Sequence, residues 1–87
     1  MAVEDLRRQL ALVKEEKADY DELIEDAYTA MRYELEEKAA SCDDEKVKNL
    51  CQLIKIFSTE NKKLAQQIYD LNIQIYLNSN LFNFNLK

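Results

Sequence analysis

Apolar residues recur at alternating three- and four-residue steps along most of this chain, and no Gly, Pro or His interrupts them. Such steps hold an apolar stripe on one side of an α-helix and define a coiled-coil seam. In the first half the series is Val3, Leu6, Leu10, Val13, Lys17, Tyr20, Ile24, Ala27 and Met31. Val3, Leu10, Lys17, Ile24 and Met31 take the a positions of the heptad, and Leu6, Val13, Tyr20 and Ala27 take d. Lys17 is its polar interruption. The pattern weakens at Glu34 and Lys38, where Tyr28, Leu35 and Ala39 offer a competing stripe.

The second half repeats the design with Val47, Leu50, Ile54, Phe57, Asn61, Leu64, Ile68, Leu71 and Ile75, and the count continues to Asn78 and Phe82. Branched residues at a and leucine-type residues at d suit a parallel two-stranded coil, and a lone Asn61 at a sets register. The two series do not join. The first would place its next a at position 45, whereas the second begins at Val47. Two residues rotate the stripe by about 200°. A stop and restart near residues 40–45 follows, with Lys38 suiting the end of one helix. Ser41 with Asp44 forms a loose capping box, and Asp43, Asp44 and Glu45 fill the polarised first turn of the next helix.

The predicted fold class is therefore all-α: an antiparallel helical hairpin, self-associating, over residues 1–77, followed by an Asn-rich apolar tail over 78–87. Stacking a on a and d on d would set Leu10 against Ile75, Lys17 against Ile68 and Ile24 against Asn61. Met31 would meet Ile54, and Val3 would meet Phe82. Among d residues, Val13 would meet Leu71, Tyr20 would meet Leu64 and Ala27 would meet Phe57. The alternative is one long helix in a parallel coiled-coil dimer. It rests on an eleven-residue-type stripe, Ile24, Tyr28, Met31, Leu35, Ala39, Cys42, Lys46, Leu50, Leu53, Phe57, which carries a seam across a phase change. A turn without Gly also counts against the hairpin.

Charge favours the hairpin. Residues 1–46 hold 15 acids and 7 bases, a net −8, while residues 47–87 hold 2 acids and 5 bases, a net +3. An acidic helix against a basic one relieves the repulsion each would meet in its own copy. The acidic total of −5 argues against direct nucleic-acid binding, which needs a basic surface. With 87 residues the chain is one domain at most, and it has no apolar run long enough for a bilayer. The acidic N-terminus lacks the pattern of a secretory signal. These features predict a soluble, intracellular protein with no membrane partner.

Chemistry is thinly provided. Without His no nucleophile–base pair can be assembled, and without Gly there is no phosphate loop. Cys42 and Cys51 would point to opposite sides of one helix, so they read as reduced thiols rather than a disulfide or zinc site. Glu34, Glu36 and Glu37 read as a solvated charged face rather than a metal site. No enzyme activity, cofactor or metal is expected. The tail NSNLFNFNLK combines residues of poor helix propensity with an apolar run. It reads either as a helix end or as a peptide that docks in a groove.

LRRQLALVKEEKADYDEL (Leu6 to Leu23) resembles the opening helix of the dimerisation domain of the inhibitor-of-growth (ING) family. KKLAQQIYDL (Lys62 to Leu71) is similar to that family's helix with an LA-x-Q-x-Y-[DE]-L/M run, and DDEKV (Asp43 to Val47) resembles a further segment. In the family DDEKV runs directly into LA-x-Q, whereas here sixteen residues separate Val47 from Leu64. The leucine–proline lead, the basic stretch and the zinc-binding PHD finger have no counterpart, so histone-tail reading has no residue to carry it. The resemblance implies a nuclear helical dimerisation module that anchors a histone acetyltransferase or deacetylase complex; without it the expected compartment is the cytoplasm.

The expected function is a non-enzymatic coiled-coil module for dimerisation or scaffolding, with Leu10, Ile24, Leu50, Phe57, Leu64, Ile68 and Leu71 as anchors and Asn61 setting register. The expected partner is itself, as a homodimer or higher assembly, or a larger protein. The alternative is an adaptor or inhibitor that grips a larger protein through its acidic helix or its tail. A hairpin would leave Leu12, Leu23, Tyr28, Leu35, Leu53, Ile56, Ile73 and Tyr76 partly exposed, which calls for another covering surface.

Overall fold

A computed structural model describes residues 2–86, with the side chains of 81–86 left aside. Two long helices fold back on each other antiparallel: α1 (Val3–Arg32) and α2 (Asp44–Leu86). The hairpin measures 71 × 16 × 15 Å, and no strand occurs among the described residues. In water most of the stability of such helices comes from packing of an apolar face rather than from local propensity. That packing is the seam expected from the heptads. Leu6, Ala27, Leu64 and Leu71 are buried, and Leu10, Val13, Tyr20, Ile24, Leu50, Ile54, Phe57, Ile68 and Ile75 are half-buried beside them. A two-helix seam has no third layer to complete the burial.

The layers stack differently from the a-on-a expectation. Asn61 (an a residue) reaches Asp21, beside the d residue Tyr20. Cys51, next to the d residue Leu50, reaches Met31 (an a residue) across 3.5 Å. The Phe57 ring lies 6.0 Å from that of Tyr20, tilted by 54°. The Asp21–Asn61 and Met31–Cys51 links place a residues of one helix level with d residues of the other, and the Tyr20–Phe57 contact runs diagonally between neighbouring layers. Reversing one helix swaps the order of the three- and four-residue steps, so like positions cannot stay level. The Val3–Phe82 layer lies outside the described side chains.

Between the helices the chain turns without Gly. A π-helical turn, Tyr33–Glu37, widens the end of α1, with the Lys38 N–H donating to the Tyr33 carbonyl at 3.1 Å. Such a turn fits an extra residue into one revolution and takes up part of the offset between the seams. A 3-10 turn, Ala39–Ser41, follows. Ala39 has φ 40°, the only positive value among the described non-Gly residues. That left-handed conformation costs an L-residue with a Cβ about 1–2 kcal/mol. Ala thus occupies the place where Gly is ordinarily found.

The cap differs from the expected Ser41 box. The Ser41 hydroxyl donates to the Lys38 carbonyl at 3.0 Å, inside the turn. Asp43 caps α2 instead: its Oδ1 accepts the Lys46 N–H at 3.2 Å, and its carbonyl accepts the Val47 N–H at 3.1 Å. At the far end the α2 backbone continues through Asn78 to Leu86. The Asn78 side chain donates to the Gln74 carbonyl at 2.7 Å, keeping its amide within the helix's own bonding.

Candidate interaction surface

Two polar clusters fix how the helices sit. In mid-hairpin, Lys17 and Asn61, the polar interruptions of the two seams, converge on one carboxylate. Lys17 Nζ donates to both Asp21 oxygens at 3.2 Å, and Asn61 Nδ2 donates to Asp21 Oδ1 at 2.8 Å. The Asn61 bond, then the Lys17 contacts, hold the Asp21 carboxyl below the usual aspartate range. Asn61 Oδ1 is buried and receives no donor from the described residues. An unmet acceptor of that kind costs about 1–3 kcal/mol.

The second cluster clamps the turn. Glu34 has no solvent exposure. Its Oε2 accepts the Asp43 N–H at 3.2 Å, and its Oε1 accepts Lys38 Nζ at 3.3 Å and Lys46 Nζ at 3.2 Å. The Asp43 N–H chiefly, then Lys46 and Lys38, draws the Glu34 carboxyl below the usual glutamate range despite its burial. Glu34 is therefore a buried clamp, not part of the solvated face expected for Glu34, Glu36 and Glu37. The heptad count did contain the signal: three residues beyond Met31, Glu34 falls at d, and Lys38 falls at the following a.

The eight anchor residues lie along the seam within one chain. Leu64 and Leu71 are buried, and Leu10, Ile24, Leu50, Phe57, Asn61 and Ile68 are half-buried. What remains for a partner is the outer surface. Leu12, Leu23, Tyr28, Leu35, Leu53, Ile56, Ile73 and Tyr76 are all exposed, as expected for a hairpin, and Tyr33, Tyr69 and Leu77 join them. Tyr69, Ile73, Tyr76 and Leu77 follow helical spacing, so α2 carries an apolar stripe outside the seam near its C-terminal end. The accessible surface of 6792 Å² exceeds the about 5,400 Å² of a compact monomer of this mass. The shallow groove between the arms is lined by Gln9, Val13, Gln67, Asp70, Leu71 and Gln74, a mostly polar set with no acid–base pair.

Neither cysteine is bonded to the other. Cys42 sits half-buried at the turn, where desolvation first and the Asp44 charge next push its thiol upward. Among the described residues no group of three or more His, Cys, Asp or Glu is placed to hold a metal ion, and no helix is long and apolar enough to cross a membrane. Compared with known protein families, curated proteins and solved structures, the chain finds no match.

Proposed function

We propose that this chain is a non-enzymatic assembly module: a stiff helical arm whose outer apolar side chains are covered by protein, its own copy first. The observation that carries this reading is the set of eleven large apolar side chains exposed on a hairpin only two helices thick. Scattered singly such residues mean little, but a stripe such as Tyr69, Ile73, Tyr76 and Leu77 is what partner-binding helices present. The split of charge between the arms favours a second copy arranged with its acidic helix near the basic one. On the ING resemblance, carried by segments in α1 and α2, the larger assembly would be a nuclear histone-modifying complex.

The test is sedimentation of the full chain beside an Ile73→Asp, Tyr76→Asp variant. Both positions are exposed, so the variant should keep its helical circular dichroism while its assembly falls to the 10.3 kDa monomer mass. A wild-type chain that stays monomeric at every concentration, or a variant that assembles as well as wild type, would sink the outer-surface reading.

A further inference from the structure

We propose that the hairpin exchanges arms with a second copy of this chain. Residues 33–43 straighten into helix, and α1 of each copy packs on α2 of the other. The proposal rests on the assembly reading above and names its partner.

Three observations converge on it. First, the connection has no Gly or Pro, so nothing in its composition forbids a continuous helix. What keeps it bent is the Glu34 clamp, while Ala39, at φ 40°, is strained only in the bent form. Second, the hairpin leaves exposed the very residues that a straight helix would align. Tyr28, Leu35 and Leu53 all belong to the stripe that runs from Ile24 to Phe57 with Lys46 as its one charged member, and all three are exposed. Third, that stripe is symmetric about the turn of the hairpin. The Asp21–Asn61, Met31–Cys51 and Glu34–Lys46 links set a register centred close to Ala40 and Ser41. The stripe has its own centre at the same place. Two straight helices laid antiparallel in that register therefore bring Tyr28 level with Leu53 of the second copy, Leu35 with Lys46 and Ala39 with Cys42. The seam layers from Ile24 and Phe57 outward re-form between chains, and the Asp21–Asn61 bond re-forms with them. The Ala27–Ile54 layer gives way to Tyr28 and Leu53, and the clamp is lost, because a straight helix commits the Asp43 N–H to its own backbone. Exchange of identical elements is a low-cost route to a dimer because the change is confined to the hinge and the layers beside it.

The experiment follows one intrachain distance. Spin labels at Glu22→Cys and Thr59→Cys, with Cys42 and Cys51 replaced by Ser, report from the outer faces of the two arms at the same level. The doubly labelled chain is unfolded, mixed with excess unlabelled chain and refolded at high and at low concentration. Dilute hairpin should give a distance under about 30 Å, from two adjacent helices. The exchanged dimer should give about 55 Å, since 37 residues of straight helix separate the labels. Ala39→Gly relieves strain in the bent form and weakens the straight helix, and so should raise the dimer dissociation constant by about a hundredfold.

A dimer that keeps the short distance would overturn the exchange and leave outer-surface assembly standing. A chain monomeric at every concentration would overturn the exchange as well. A long distance that persists in the Ile73→Asp, Tyr76→Asp variant would uphold the exchange and remove the outer stripe from dimer formation.

Discussion

Glu34 shows how much a single side chain can decide. A carboxylate with no solvent exposure at the end of α1 collects a backbone N–H and two lysines, and each donor comes from the turn or the start of α2. The sequence does place it on the seam, at d, but its charge masks that position from a reading that follows apolar residues alone. Because its carboxyl is held below the ordinary glutamate value of 4.5, Glu34 stabilises the hairpin above that pH. The contribution disappears as pH falls through the lowered value, and Asp21 behaves in the same way below its ordinary 3.8. Denaturant unfolding should therefore show stability flat above about pH 5 and falling steadily on acidification. Glu34→Gln should be less stable at neutral pH and lose part of that acid dependence. Identical pH profiles for the two proteins would remove Glu34 from the clamp.

Ala39 carries the opposite lesson at the same scale. The missing Gly counted against a turn, yet the turn forms by placing Ala at φ 40°. The sequence could not show this, because a left-handed Ala has no pattern of its own. Replacing it should remove the Cβ strain, so Ala39→Gly should raise the unfolding free energy of the dilute hairpin by about 1 kcal/mol in urea titrations. A variant less stable than wild type would place the strain elsewhere.

Among the elements, the two helices were the most legible part of the chain, because three- and four-residue spacing translates directly into a buried stripe. Leu6, Ala27, Leu64 and Leu71, the buried apolar residues among those described, all fall on it, each at d. The layer pairing was not legible in the same way. It depends on how the a and d steps interleave when one helix is reversed, and only cross-helix links such as Asp21–Asn61 reveal it. The cap was misplaced by two residues for a local reason: Ser41 and Asp43 both suit the role, and the 3-10 turn consumes the Ser41 hydroxyl. An Asp at position 64 would bury a charge at a closed layer of the seam. Leu64→Asp should therefore destabilise the hairpin by about 3–5 kcal/mol, combining a lost core side chain with an unpaired charge. Circular dichroism should show most of the helix gone; a native spectrum and melting point would contradict the seam.

For the whole molecule, the consequence of having two layers rather than three is surface. An arm 71 Å long and about one helix pair across keeps its residues near solvent, which is why so many seam positions are only half-buried. The anchors chosen from the heptads lie inside the chain, and the surface left for partners is the apolar remainder that the heptads do not use. That remainder was legible as well: among residues 2–80, every large apolar residue outside the two series named from the sequence is exposed in the structure. Small-angle scattering of a dilute sample should give a radius of gyration near the 19.7 Å of the hairpin backbone. A straight chain of this length would reach about 38 Å, from a rise of 1.5 Å per residue.

The antiparallel course also places the start of α1 and the end of α2 at one tip of the arm, with the Glu34 clamp at the other. The direction of a mechanical load then decides how the arm responds. Tension between the two chain ends acts across the seam and opens it layer by layer, like a zipper, meeting Asp21–Asn61 before it meets the clamp. Tension between one tip and the other runs along both helices and must shear many layers together. The same contacts would yield readily to the first pull and resist the second, so the hairpin would transmit force along its length while peeling from its open end.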